Sequence, residues 1–446
     1  MKAMLRRLLI LLPLAVLAWA ADTPGKTFPY PYAQEDLPNG LRVVTIPTDF
    51  PNIVSLFIVV QTGSRNEIEP GHTGFAHLFE HVMFRGTAKF PPEKYEQVLQ
   101  KAGAASNAFT SDDLTAYHTT FSKEDLETIL MMEADRFQNL KYAESDFRTE
   151  SLAVLGEYNK NSASPFSKLR EVLMETAFDR HTYKHTTMGF LKDIQDMPNQ
   201  YDYSLKFFDR YYRPEYTTVV VAGDVQPAAV RALVEKYWGN WVRGSYKADI
   251  PAEPPQQEPR TGHVDWPART LPILVVAFKG PAYTDSAPDS AALDAISYLG
   301  FSPNSELYQK LVVQEQKVDT LVAYNPDHVD PNLFEISARV KNPADMDYVR
   351  DQVLAAVSRF REAPVASEKL EAVKNHLRYA FSLGMENSEA VASAVAGYIA
   401  LRRTPATIDR LYAQYGALTP EVVARVARKY FTDSGRTIVT LTGGAK

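Results

Sequence analysis

Apolar residues along this chain recur with two periods. A nearly continuous apolar run from Ile53 to Gln61 predicts a buried strand, and the spacing from about Gly74 to Phe84 predicts an amphipathic helix. Thr115 to Phe121 reads as a second strand, followed by a helical pattern from Ser122 to Phe137. Past the midpoint the same order returns: a strand at Ile273 to Phe278, a helix at Ser290 to Leu299, a strand at Phe334 to Val340 and a helix at Asp345 to Phe360. Each half closes on a β-branched strand, Thr217 to Ala222 and Thr437 to Thr442. The repeated order predicts two related α+β domains.

Between the halves, Gly244 to Gly262 carries Pro251, Pro254, Pro255 and Pro259 among polar residues and reads as a linker. It separates residues 21–243 from residues 263–446. The first twenty residues differ from both. Lys2, Arg6 and Arg7 precede an apolar run from Leu8 to Trp19 that ends on Ala18-Trp19-Ala20, the pattern of a cleaved signal peptide. The run is short for a membrane span, and no later segment reaches that length, so the expected location is periplasmic or secreted, with no transmembrane span after cleavage.

Composition narrows the chemistry. With 446 residues, 45% of them apolar, the chain can bury more than one core. It contains no cysteine, which suits export and removes thiol catalysis and thiolate metal sites; His, Asp and Glu remain as ligands. Removing the leader's three basic residues from 48 leaves 45 against 54 acidic ones, a balance that argues against nucleic acid as a partner.

The stretch Gly74 to Gly86 holds His77, Glu80 and His81 in the order H-x-x-E-H. Histidines at i and i+4 share one helix face and can reach one ion, with a carboxylate beside them. Zinc suits imidazole and carboxylate ligands that leave a position for water, whose pKa the metal lowers to about 7. Glu80 is then the base that takes the proton. The plainer alternative is a pair of ordinary histidines on an amphipathic helix. A third ligand is required, and Glu150 and Glu157, seven residues apart, share another helix face. Spacing does not choose between them; one can bind metal while the other orients a ligand histidine.

These residues resemble the pitrilysin/insulinase family of inverted-motif zinc metallopeptidases, particularly its short bacterial and processing-peptidase-like members. The resemblance covers Gly74 to Thr87, Asn107 to Tyr117, His181 to Gly189 and Tyr211 to Asp224, most of the first half. It implies an α+β fold of two homologous domains, each a mainly antiparallel sheet packed with helices, the second without a metal site. Glu157, 76 residues after His81, stands where the family's third zinc ligand is expected, and Glu150 matches the glutamate that supports a ligand histidine. Asn107, Ala108, Phe109 and Thr110 would line the cleft as an edge strand holding an extended peptide by its backbone. Without the resemblance, Asn107 reads as a turn residue and Thr110 as an ordinary strand residue.

The expected function is thus a secreted zinc metalloendopeptidase with one Zn2+ per chain, hydrolysing peptides or unfolded polypeptides. The second half resembles the family more weakly, chiefly through Ser305 to Lys317, and has Val313 and Thr320 where many active relatives carry an arginine and a tyrosine that contact substrate. Tyr216 stands where relatives often have asparagine. A chain with a single double-domain unit is expected to dimerise, as a homodimer or as a heterodimer with a metal-free homologue. The alternative from another class is a non-catalytic binding or assembly subunit of the same fold.

Overall fold

The β-branched runs form the middles of two sheets in the computed structural model, which describes residues 26–444. The signal peptide read from residues 1–20 lies outside the described residues. In the first half, β1 (Ala33–Asp36), β2 (Arg42–Pro47), β3 (Ile53–Val60), β4 (Ala105–Thr110), β5 (Thr115–Ser122) and β6 (Thr217–Gly223) pair in the order β1-β2-β6-β3-β5-β4. In the second, β7 (Arg260–Trp266), β8 (Ile273–Lys279), β9 (Val318–Tyr324), β10 (Leu333–Val340) and β11 (Arg436–Gly443) pair as β7-β11-β8-β10-β9. The orders match strand for strand once β1 is set aside. Each sheet is antiparallel except for one parallel pair, β2 with β6 and β7 with β11.

β3, β6 and β8 are apolar at nearly every position because both of their faces are covered. Val54, Leu56, Ile58 and Val60 of β3 face the first half's own helices. The alternate residues Phe57 and Val59, with Val220 and Ala222 of β6, pack on Val391, Val395 and Ile399 of the Ser388–Arg402 helix, which belongs to the second half. The second sheet reciprocates. Ile273, Val275 and Ala277 of β8 pack on Leu169, Leu173 and Ala177 of the first half's Pro165–Ala177 helix. Each half lends a helix to the other, so two apolar clusters span both halves.

Two boundaries differ from the sequence reading. β7 starts inside the proline-rich stretch, where Arg260, Thr261 and Gly262 already pair with Thr437, Ile438 and Val439; parallel hydrogen bonding to β11 overrides local composition. The helix expected from Ser122 begins only at Leu126, because Ser122 still pairs with Ile53 in β5. β4 and β9 are the corresponding edge strands, and the turns beyond them meet: His328 Nε2 lies 2.9 Å from Asp112 Oδ2, and the Val329 N–H donates to Asp113. Among the described residues no helix is long and apolar enough to cross a membrane.

Candidate metal centre

The helix Phe75–Val82 is anchored by Phe75, Leu78, Phe79 and Val82, which face the core, and by the Tyr117 hydroxyl, which donates to the Phe79 carbonyl at 3.0 Å. That anchoring turns His77 and His81 towards Glu157, their rings 5.0 Å apart at 84°. The helix Glu144–Asn161 packs alongside and presents its carboxylates two turns apart. Oε2 of Glu157 lies 3.6 Å from Nε2 of His77 and 3.6 Å from Nε2 of His81. One ligand atom from each of the three residues therefore falls within 4.8 Å of the others.

A supporting contact fixes which nitrogen of His81 faces inward. His81 Nδ1 lies 3.4 Å from Glu150 Oε2, and Glu150 Oε1 accepts from Arg85 Nε at 2.6 Å. With Nδ1 committed to Glu150, Nε2 is left for the centre, the usual role of a carboxylate behind a ligand histidine. The contact with Glu150 pushes His81 up and holds Glu150 below the usual carboxylate range, with Arg85 adding to the second effect. Burial pushes His77 down, towards the neutral form that can ligate. Two imidazole nitrogens and one carboxylate oxygen converging from two helices fit a zinc site with one position open.

Glu80 is not part of this cluster. Its Oε2 accepts from the Thr110 hydroxyl at 2.7 Å, so the last residue of β4 holds the carboxylate at the edge of the centre. Among the described residues β4 pairs on one side only, with β5. Along it Ala108 is buried, Phe109 is 39% exposed, and the Asn107 side-chain carbonyl accepts the Ala108 N–H at 2.9 Å. The structure thus brings together His77, Glu80, His81, Glu150 and Glu157, with Thr110 beside them; Asn107 and Phe109 lie further along the same edge. Val313 sits half exposed in the π-helical turn Gln309–Gln314, and Thr320 is exposed on β9. Tyr216 donates its hydroxyl to the Tyr246 carbonyl.

The sequence reading did not identify three contributors. Arg85 fastens Glu150; it lies in the same motif stretch, but nothing local pairs it with a residue 65 positions away. Thr110 was read as a cleft residue, not as the partner of Glu80. Asn161, one turn beyond Glu157, donates to Glu157 Oε1 at 3.4 Å, a contact that i,i+4 spacing on a helix could have suggested.

Two family models match the chain: insulinase (peptidase family M16) over residues 42–190, and the peptidase M16 inactive domain over residues 200–377. The zinc protease PqqE of Helicobacter pylori is 28% identical over 443 residues, which is 98% of each chain. A probable beta subunit of the mitochondrial-processing peptidase of Arabidopsis thaliana is 26% identical, covering 89% of this chain and 76% of its own. The crystal structure of a protease from Helicobacter pylori superposes with a TM-score of 0.86 at 28% identity, covering 93% of this chain and 99% of that one. On the two family models, these relatives and the shared architecture, the chain belongs to peptidase family M16, the insulinase/pitrilysin family.

Proposed function

We propose that this protein is an exported zinc metalloendopeptidase that cleaves peptides or unfolded polypeptides, with Glu80 as its general base. The observation that carries the reading is the convergence of His77 Nε2 and His81 Nε2 on one oxygen of Glu157, with Glu80 on the same helix. His77, His81 and Glu157 would hold the ion, which supplies Lewis acidity towards the scissile carbonyl and acidifies an attacking water. Glu80 accepts the proton from that water and delivers it to the departing amide nitrogen. The Thr110 hydroxyl orients the Glu80 carboxylate for both transfers. Glu150 and Arg85 keep His81 in one tautomer throughout.

Substrate is held as an added strand. The unpaired edge of β4 offers backbone N–H and C=O groups to an extended peptide, a mode that reads shape more than sequence. Such binding requires an unfolded segment, because a peptide inside a sheet or helix has no free backbone to share. The family's processing peptidases include named subunits, and the similarity to a beta subunit supports assembly with a second homologous chain, either a copy or a metal-free relative. Tyr379 and Leu383, 67% and 74% exposed on the Ser367–Leu383 helix, are apolar surface that such assembly could cover. Export rests on the leader alone.

The test is cleavage of a quenched peptide library by metal-loaded protein beside Glu80→Gln at equal zinc content. Activity in the wild type alone supports the mechanism. Bound zinc with no cleavage by either sample, in the presence of a homologous partner chain, would sink it.

A further inference from the structure

Glu67 follows the short turn Ser64–Asn66, and its side chain is fully enclosed. Its Oε2 accepts the N–H of Gly74 at 2.8 Å and its Oε1 accepts the N–H of Ala76 at 2.7 Å. These groups belong to the end of the Phe75–Val82 helix, where the first N–H donors have no partner within the helix. Most helices meet that need with a side chain at the N-cap. Here the position is Gly74, at φ +89° and without a side chain, so the cap comes from a carboxylate seven residues upstream.

The opposite side of the same turn is closed by main chain. A Cβ on Gly74 would lie 2.7 Å from the Met188 carbonyl oxygen, and one on Gly189 would lie 2.7 Å from the Gly74 nitrogen. Thr73, just before, donates its hydroxyl to Asp193 at 2.8 Å and accepts the Phe190 N–H at 2.8 Å. The first turn is therefore gripped between Glu67 and the 188–193 segment. Ala76 directly precedes His77, and His81 follows one turn later. Any rotation of this turn moves both ring nitrogens relative to Glu157, which stands on a separate helix.

We propose that Glu67 is a positioning residue for the metal centre: its buried carboxylate caps the metal-binding helix from outside and sets the angle at which His77 and His81 meet Glu157. The proposal rests on the metallopeptidase reading for the identity of the centre. Two other titratable groups face the carboxylate: His185, just before the clamping segment, whose Nδ1 lies 3.7 Å from Oε2, and Asp193 within it. Burial pushes the Glu67 carboxyl up to about 8, opposed by the N–H donors of Ala76 and Gly74. N–H bonds to both oxygens favour the ionised acid and offset part of the cost of its burial.

Cobalt(II) titration of the full chain, read by its visible ligand-field spectrum on the alkaline side of the Glu67 titration, tests the proposal without requiring cleavage. Glu67→Gln puts an amide NH2 where one oxygen accepts, and it should weaken cobalt binding by roughly 10- to 100-fold and alter the spectrum, as for other groups behind metal ligands. Glu67→Asp keeps the charge but shortens the reach, and it should fall between the two. Phe360→Leu in the second-half core serves as a destabilised control, compared through the metal-free melting temperature. Wild-type affinity and spectrum in both Glu67 variants would overturn the proposal, as would an equal loss in Phe360→Leu. Failure of the wild type itself to bind cobalt would instead remove the metallopeptidase reading.

Discussion

The two halves share one sheet order but not one chemistry, and their first helices show where they part. Counted from helix starts, Phe79-Glu80-His81-Val82-Met83-Phe84-Arg85-Gly86 stands against Leu293-Asp294-Ala295-Ile296-Ser297-Tyr298-Leu299-Gly300. The scaffold residues agree in kind except at Met83 and Ser297, yet His77 and His81 become Ala291 and Ala295, and Arg85 becomes Leu299. On a later helix pair, Glu144–Asn161 against Ser367–Leu383, Glu150 and Glu157 meet Val373 and Ala380. A carboxylate survives where Glu80 stands. Asp294 accepts from Asn325 at 2.9 Å and Tyr415 at 2.6 Å, as Glu80 accepts from Thr110, but it is enclosed by its partners and serves packing. A metal centre in this fold therefore needs few residues beyond the shared framework, and losing them leaves the framework intact.

That contrast can be broken at four points. The largest effect is expected from His81→Ala, which removes one of the three proposed ligands: zinc content after dialysis should fall to background and cleavage with it, while far-UV circular dichroism stays unchanged. Retained zinc at wild-type affinity would mean the centre lies elsewhere. Glu80→Gln should keep zinc yet lower kcat by roughly 100- to 10,000-fold, the usual contribution of general acid–base catalysis. If Asp294→Asn lowered kcat comparably at full zinc occupancy, the division of labour between the halves would be wrong.

Glu150→Gln is next. His81 Nδ1 would keep an acceptor on one side while losing the charge that Arg85 pins, so zinc affinity should fall by roughly 10- to 100-fold, read by competition with a chelator. The smallest effect belongs to Asp294→Asn, with a stability cost of about 1 kcal/mol from one weakened hydrogen bond. Burial pushes Asp294 up to about 6, against the hydrogen bonds from Tyr415 and Asn325. The folded chain thus keeps a proton that the unfolded chain releases near pH 4, and stability from this group falls as pH rises from about 4 to about 6. Urea midpoints measured across that window should decline in the wild type and decline less steeply in Asp294→Asn, where the neighbouring Asp327, itself pushed up by burial, still titrates.

Much of this was legible in residue order. The β-branched and apolar positions gave β3, β5, β6, β8, β10 and β11 to within about one residue, because β3, β6 and β8 are buried on both faces and nearly continuously apolar while β10 and β11 alternate buried with half-buried positions. The edge strands β4 and β9 were not found by pattern, since half their positions face solvent and polar residues there carry no periodic signal; the family resemblance alone pointed to β4. His77, Glu80 and His81 were visible because a single helix presents all three within one turn.

What the sequence determined by itself is local: the helix that carries the motif, the two carboxylates sharing a face of another helix, and the repetition of elements across the linker. Which carboxylate turns to the histidines was decided only by the packing of one helix against the other, which sets Glu157 across from both rings and leaves Glu150 behind His81. The exchange of the Pro165–Ala177 and Ser388–Arg402 helices between halves was equally invisible, because an apolar helix face states that it must be covered and not by which sheet. The same holds for Glu67, whose caps lie seven and nine residues away with a turn between. Contacts between elements depend on where the chain returns in space, and no local pattern of residues encodes that.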